Sequence, residues 1–128
     1  MSNSVLIKRE MWPDVTDVPH FIVSLDYEGC SFHHDDIYFD EISEIVADLV
    51  RLNNSRKGEV KLNGGSRFSA CIKAKMNGAI DILLHAESAA SFPGKLSLEG
   101  VLQVEGENAS SCISSLISLF EEGTPFAI

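Results

Sequence analysis

The sequence predicts an α+β fold, a twisted antiparallel sheet of about six strands whose apolar face is covered by two amphipathic helices. Three observations lead there. Apolar and polar residues alternate along several segments, as they do in antiparallel strands wetted on one side. Two other segments switch to the helical period. No repeat, low-complexity tract or linker divides the 128 residues, so 1–128 reads as a single domain.

Taken in order, a short strand is expected at Val5–Lys8. A longer one covers His20–Glu28, with Phe21, Val23, Leu25 and Tyr27 on one face and Ser24, Asp26 and Glu28 on the other. Asp40 is a suitable N-cap for a helix whose stripe is Ile42, Ile45, Val46, Leu49 and Leu52. That helix should fray at Asn53-Asn54 and finish before Gly58. After a short strand at Glu59–Leu62, the segment Arg67–Met76 turns Phe68, Ala70, Ile72, Ala74 and Met76 inward. The alternation recurs at Ile80, Ile82, Leu84 and Ala86, and again at Leu96, Leu98, Leu102 and Val104. A second helix begins near Asn108 with the stripe Ala109, Cys112, Ile113, Leu116, Ile117 and Phe120, and Gly123 and Pro125 stop it. Asn77-Gly78 marks a hairpin. A two-residue turn would set inward Ala74 against outward Asp81, so a three-residue loop, Asn77-Gly78-Ala79, is expected, with Met76 opposite Ile80 and Lys75 opposite Asp81.

Composition narrows the class. With 45% hydrophobic residues the chain is in the globular range. It is long enough to bury roughly two-thirds of its unfolded surface without staples. No apolar run approaches the ~18 residues of a membrane span, and the start MSNSVLIKRE does not resemble a secretory signal. A cytoplasmic protein is therefore expected. Cys30, Cys71 and Cys112 are odd in number and widely spaced, which reads as three reduced and largely buried thiols.

The net charge of −9 argues against a nucleic-acid binder. Its distribution says more. Residues 10–50 hold eleven Asp and Glu and no Lys or Arg, whereas residues 51–75 hold seven Lys and Arg against the single Glu59. A run of forty-one residues without a cation suggests an acidic surface facing a basic partner.

No group of residues reaches the level of a catalytic or metal centre. Cys30, His33, His34, Asp35 and Asp36 are metal-ligand or thiolate-activating types. Adjacent side chains diverge, however, and no second ligand set stands at a recognisable spacing. Neither metal nor cofactor is expected, and the segment reads as a polar loop. His85 is placed opposite Cys71 on the wet face, without an orienting third group. His20 has no candidate partner. Gly64-Gly65-Ser66 precedes a strand, so it is a turn and not a phosphate cradle. Trp12 is either a core or a contact residue.

One resemblance bears on function. The extended segment ending in Tyr27-Glu28-Gly29, the helical Leu49-x-x-Leu52 and the run Lys57-Gly58-Glu59-Val60-Lys61-Leu62-Asn63-Gly64 are followed by Phe68-x-Ala70-x-Ile72 and Gly78-x-Ile80-x-Ile82. Over residues 20–122 this is similar to the WapI-like family of bacterial immunity proteins, which neutralise toxins of contact-dependent and wall-associated systems. The resemblance implies no catalytic residue. It implies a role, inactivation of a delivered toxin by binding in the cytoplasm, and the acidic stretch would complement a basic nuclease. Asp26, Glu28, Asp35, Asp36, Asp40, Glu41 and Glu44 are the expected contacts, with His33 and His34 supplying central hydrogen bonds or stacking. Two rivals remain: an adaptor or chaperone-like binder using a sheet edge or groove, and a small enzyme or metalloprotein centred on Cys30, His33, His34 and Asp36.

Overall fold

The computed structural model describes residues 3–10, 19–88 and 96–128. Trp12 lies outside the described residues. The fold is α+β, and the described residues form ten elements in the order β1 (Ser4–Glu10), β2 (His20–Tyr27), β3 (Cys30–Ile37), α1 (Ile42–Ser55), β4 (Glu59–Asn63), β5 (Phe68–Ala74), β6 (Ile80–Glu87), β7 (Ser97–Val104), α2 (Gly106–Glu122) and β8 (Phe126–Ala127). Among the described residues no helix is long and apolar enough to cross a membrane.

The single six-stranded sheet is corrected to two antiparallel sheets of four strands, in the orders β3-β2-β1-β8 and β4-β5-β6-β7. Alternation reveals which face a side chain takes but not which strand lies beside it, so the division was hidden. Two strands were also missed. The segment expected as a polar loop is β3, joined to β2 by a tight turn in which Glu28 (φ 49°) and Gly29 (φ 83°) both take the left-handed region, the geometry that suits a two-residue hairpin. The short β8 returns to pair with β1, Leu6 facing Ala127 and Ile7 facing Phe126.

The apolar faces of both sheets share one core with the helix stripes. Val5 and Ile7 of the first sheet, Leu62, Phe68 and Leu84 of the second, and Leu116 of α2 line one internal void of about 10 Å3. Four phenylalanines lock the layers together. Phe39, on the link from β3 to α1, lies 4.9 Å from Phe21 of β2, 5.6 Å from Phe120 of α2 and 6.2 Å from Phe68 of β5 between ring centroids. Tilted and edge-on rings at such distances add to the burial energy. Polar side chains bridge the helices, Asn53 of α1 accepting from Ser110 Oγ at 3.1 Å. The guanidinium of Arg9 donates to the Phe120 carbonyl at 2.6 Å, satisfying the carbonyl end of α2 with a cation.

Several local expectations change. Asp40 is not the N-cap. Glu41 holds that position with φ 53°, and its carbonyl accepts the amides of Glu44 and Ile45. Asp40 is drawn away to β4, where its amide donates to the Asn63 carbonyl and its carboxylate accepts from Asn63 Nδ2. The β5–β6 hairpin is two residues longer than expected. Ala74 faces Ile80 and Lys73 faces Asp81, so Met76 stands in a five-residue loop, fully exposed and not inward. A shift of two residues preserves every face, which is why the alternation could not reveal it. His85 is accordingly opposite Ser69, and Cys71 opposite Leu83. His20 is buried, with Glu10 Oε2 3.6 Å from its Nε2.

Candidate functional site

The acidic stretch folds into two groups. The first lies on β2, β3 and their turn. Strand alternation sends Ser24 and Asp26 of β2 outward, opposite His33 and Ser31 of β3. Ser24 Oγ is 2.9 Å from His33 Nδ1, and His33 Nε2 is 2.5 Å from Asp35 Oδ1. Ser31 donates a short hydrogen bond to Asp26. Glu28 is held in the turn by Asn3, which accepts its amide at 2.9 Å and donates to its carboxylate at 3.3 Å. Lys8 and Glu10 of β1 share a shallow depression of about 220 Å3 with Ser24, His33 and Asp35.

A bulge adds Asp36 to this edge. Val23 faces His34 and Phe21 faces Ile37, so Asp35 and Asp36 together oppose Ile22 alone. Both aspartates are exposed. Charges and a bulge on the outermost strand of a sheet also discourage pairing with a stray strand.

The second group is at the head of α1, where Asp40, Glu41 and Glu44 crowd one turn. The Glu41 side chain, hydrogen-bonded to Glu44 and close in charge, pushes the Glu44 carboxyl above the usual carboxylate range, with slight desolvation and the Asp48 charge adding to it. Arg51 pairs with Asp48 at 2.7 Å, further along the helix. Among the described residues no Lys or Arg comes within ion-pairing distance of Asp26, Glu28, Asp35, Asp36, Asp40, Glu41 or Glu44.

His34 is the correction to the expected contact set. It shares the inward face with Phe32, Val23 and Leu25, is 6% exposed, and hydrogen-bonds through Nε2 to the Glu87 carbonyl of the second sheet at 2.7 Å. Opposite faces separate it from His33, because successive strand residues point apart. The set Cys30, His33, His34 and Asp36 is thus not gathered at one point, and no group of three His, Cys, Asp or Glu among the described residues could hold a metal ion. Cys30 is exposed. Burial, with Glu59 Oε2 accepting from its sulfur at 3.1 Å, pushes the Cys71 thiol up to about 11. Burial alone pushes Cys112 up to about 11.

A feature outside the expected set is the wet face of the second sheet, hollowed into a groove of about 690 Å3. Its floor is the backbone of Leu62, Ala70, Leu84 and Gly100, which stand in one row across the four strands. Cys71, Leu83 and Val101 form one wall, with Lys61 at its β4 end. Asn63, Ser69, His85 and Glu99 form the other. At the β7 end Tyr27 borders the groove: its hydroxyl accepts the Val101 amide at 3.1 Å, and its ring packs against the core side of Gly100, where a Cβ would stand 2.5 Å from it. Leu83 and Val101, each 39% exposed, face each other across β6 and β7. The sequence signal was their break in the alternation, two apolar residues at positions where a wet face calls for polar ones.

Comparison with protein-family models, curated proteins and solved structures finds nothing that matches this chain.

Proposed function

We propose that this chain is an immunity protein, one that binds a basic, nuclease-type bacterial toxin and neutralises it by covering its surface. The observation that carries this reading is the set of seven exposed or half-exposed carboxylates, from Asp26 to Glu44, that no Lys or Arg of the described chain pairs. Carboxylates without a Lys or Arg partner, two of them crowded enough to raise a pKa, suit an external cation. Asp26, Glu28, His33, Asp35, Asp36, Asp40, Glu41 and Glu44 are the contact residues; His34 supports the fold beneath them. The resemblance to WapI-like immunity proteins supports the same role. Opposed charge would speed encounter, and a few buried contacts would set the lifetime of the complex.

The test is protection of cells in which a basic nuclease toxin domain is produced together with this chain. Asp35→Lys with Asp36→Lys should slow association at least tenfold, most strongly at low salt where screening is weak, and protection should fall with it. Stability should change by less than about 0.5 kcal/mol, as exposed sites generally allow. Full protection by the folded double variant would overturn the reading. The groove on the second sheet favours a second reading, an adaptor that receives a segment of its partner.

A further inference from the structure

Beyond the acidic surface, the geometry points to the groove of the second sheet as a docking site for a basic amphipathic segment of a partner protein. The shape comes from the row that forms the floor. Leu62, Ala70 and Leu84 turn their side chains into the core, at 1%, 7% and 3% exposure, so they present only backbone to the groove. Residues two apart along a strand share a face, and the flanking rows therefore rise as two walls roughly 7 Å apart, running about 14 Å across three strand spacings. One wall is apolar at Cys71, Leu83 and Val101. The other is polar at Ser69, His85 and Glu99. A channel with unlike walls selects an occupant with unlike sides, as an amphipathic segment has.

Charge fixes the direction and the sign. At the β7 end, His85 lies 3.3 Å from Glu87 Oε1 and 3.5 Å from Glu99 Oε1, two carboxylates about one imidazole. Glu99, on the wall at that end, is 83% exposed at its side chain. Lys61 marks the β4 end. An occupant would therefore lay its large apolar residue against Leu83 and Val101 and its Lys or Arg beside Glu99. The inference goes beyond the proposed function, because neither the carboxylates of the first sheet nor those at the head of α1 belong to this groove.

The probe is a synthetic twelve-residue amphipathic Leu/Lys peptide, with a Leu/Glu peptide of the same pattern as control. Each is titrated at physiological salt against the 15N-labelled full chain, following backbone amide shifts. The Leu/Lys peptide should move the amides of Ser69, Cys71, Leu83, His85, Glu99 and Val101, and the Leu/Glu peptide should not. Glu99→Lys and Leu83→Lys should each weaken binding at least tenfold. Glu99 is so exposed that its variant keeps the fold even if the Leu83 variant does not. The Asp35→Lys, Asp36→Lys variant should retain the groove shifts, so this inference and the proposed function fail separately. Shifts confined to β2, β3 and the head of α1, equal response to both peptides, or unchanged affinity of the Glu99 variant would each overturn it.

Discussion

Replacing His34 by alanine should destabilise the protein by about 2–4 kcal/mol, while replacing its neighbour His33 should cost less than about 0.5 kcal/mol. The contrast follows from one peptide unit of strand geometry. His34 is 6% exposed and spans the two sheets through its hydrogen bond to the Glu87 carbonyl. Losing that bond in a buried setting is worth about 1–3 kcal/mol, and the space left by the imidazole adds a cavity term. The His33 side chain is 60% exposed, and its contacts with Ser24 and Asp35 are replaceable by water. In urea, with a slope of about 1–3 kcal/mol per molar, the His34→Ala midpoint should fall by about 1–2 M. His34→Gln, which offers an N–H of similar reach, should recover part of the loss. A His34→Ala midpoint equal to that of the parent, or a His33→Ala variant that is the more damaged, would refute the assignment of faces.

Two further outcomes follow from the titratable groups. The Glu44 carboxyl should titrate above an ordinary glutamate, and Glu41→Gln should bring it down, since Glu41 is the main cause of the shift; side-chain carboxyl NMR reads both. Because the folded-state value is the higher one, protonation of Glu44 favours the fold: its contribution is complete below the unfolded-state value and is lost as pH rises through the folded-state value. Among the thiols, Cys30 should react first with a disulfide reagent at pH 8. Cys71 should react slowly and Cys112 only on unfolding, both being pushed up to about 11. Two thiols reacting equally fast in the native protein would contradict the burial described.

What the sequence reveals here depends on how local the cause is. Phe68, Ala70 and Ile72 are legible as inward, and Ile45, Leu49 and Leu52 as a stripe, because each pattern is written within one element. The strand Cys30–Ile37 escaped because its edge position leaves most of its residues exposed. Its readable traces were the Glu28-Gly29 turn and Phe32 standing where Leu25 needs a neighbour. Reading Cys30–Ile37 as a loop also left His34 among the contact residues, since only a strand separates adjacent side chains to opposite faces. The N-cap moved from Asp40 to Glu41 because Asn63, twenty-three residues on, claims Asp40. The groove needs four strands in register, which no single segment specifies, although Leu83 and Val101 mark it.

The pairing of β1 with β8 sets an order for assembly. Leu6 and Ala127 are rung partners separated by nearly the whole described chain. Closing a loop of that length from the unfolded state costs about 4 kcal/mol in length-dependent entropy alone, against two register pairs, the reciprocal backbone bonds of Val5 with Ile128 and one buried ring at Phe126. Such a contact cannot begin folding. It forms once the hairpins and α2 have already brought its ends together, when little of that entropy remains to be lost. On a ribosome, β1 would pair with β2 early and then keep its other edge open until the last strand emerges. That interval, with an unfilled edge beside Val5 and Ile7, is when the nascent chain is most exposed to pairing with a second copy of itself.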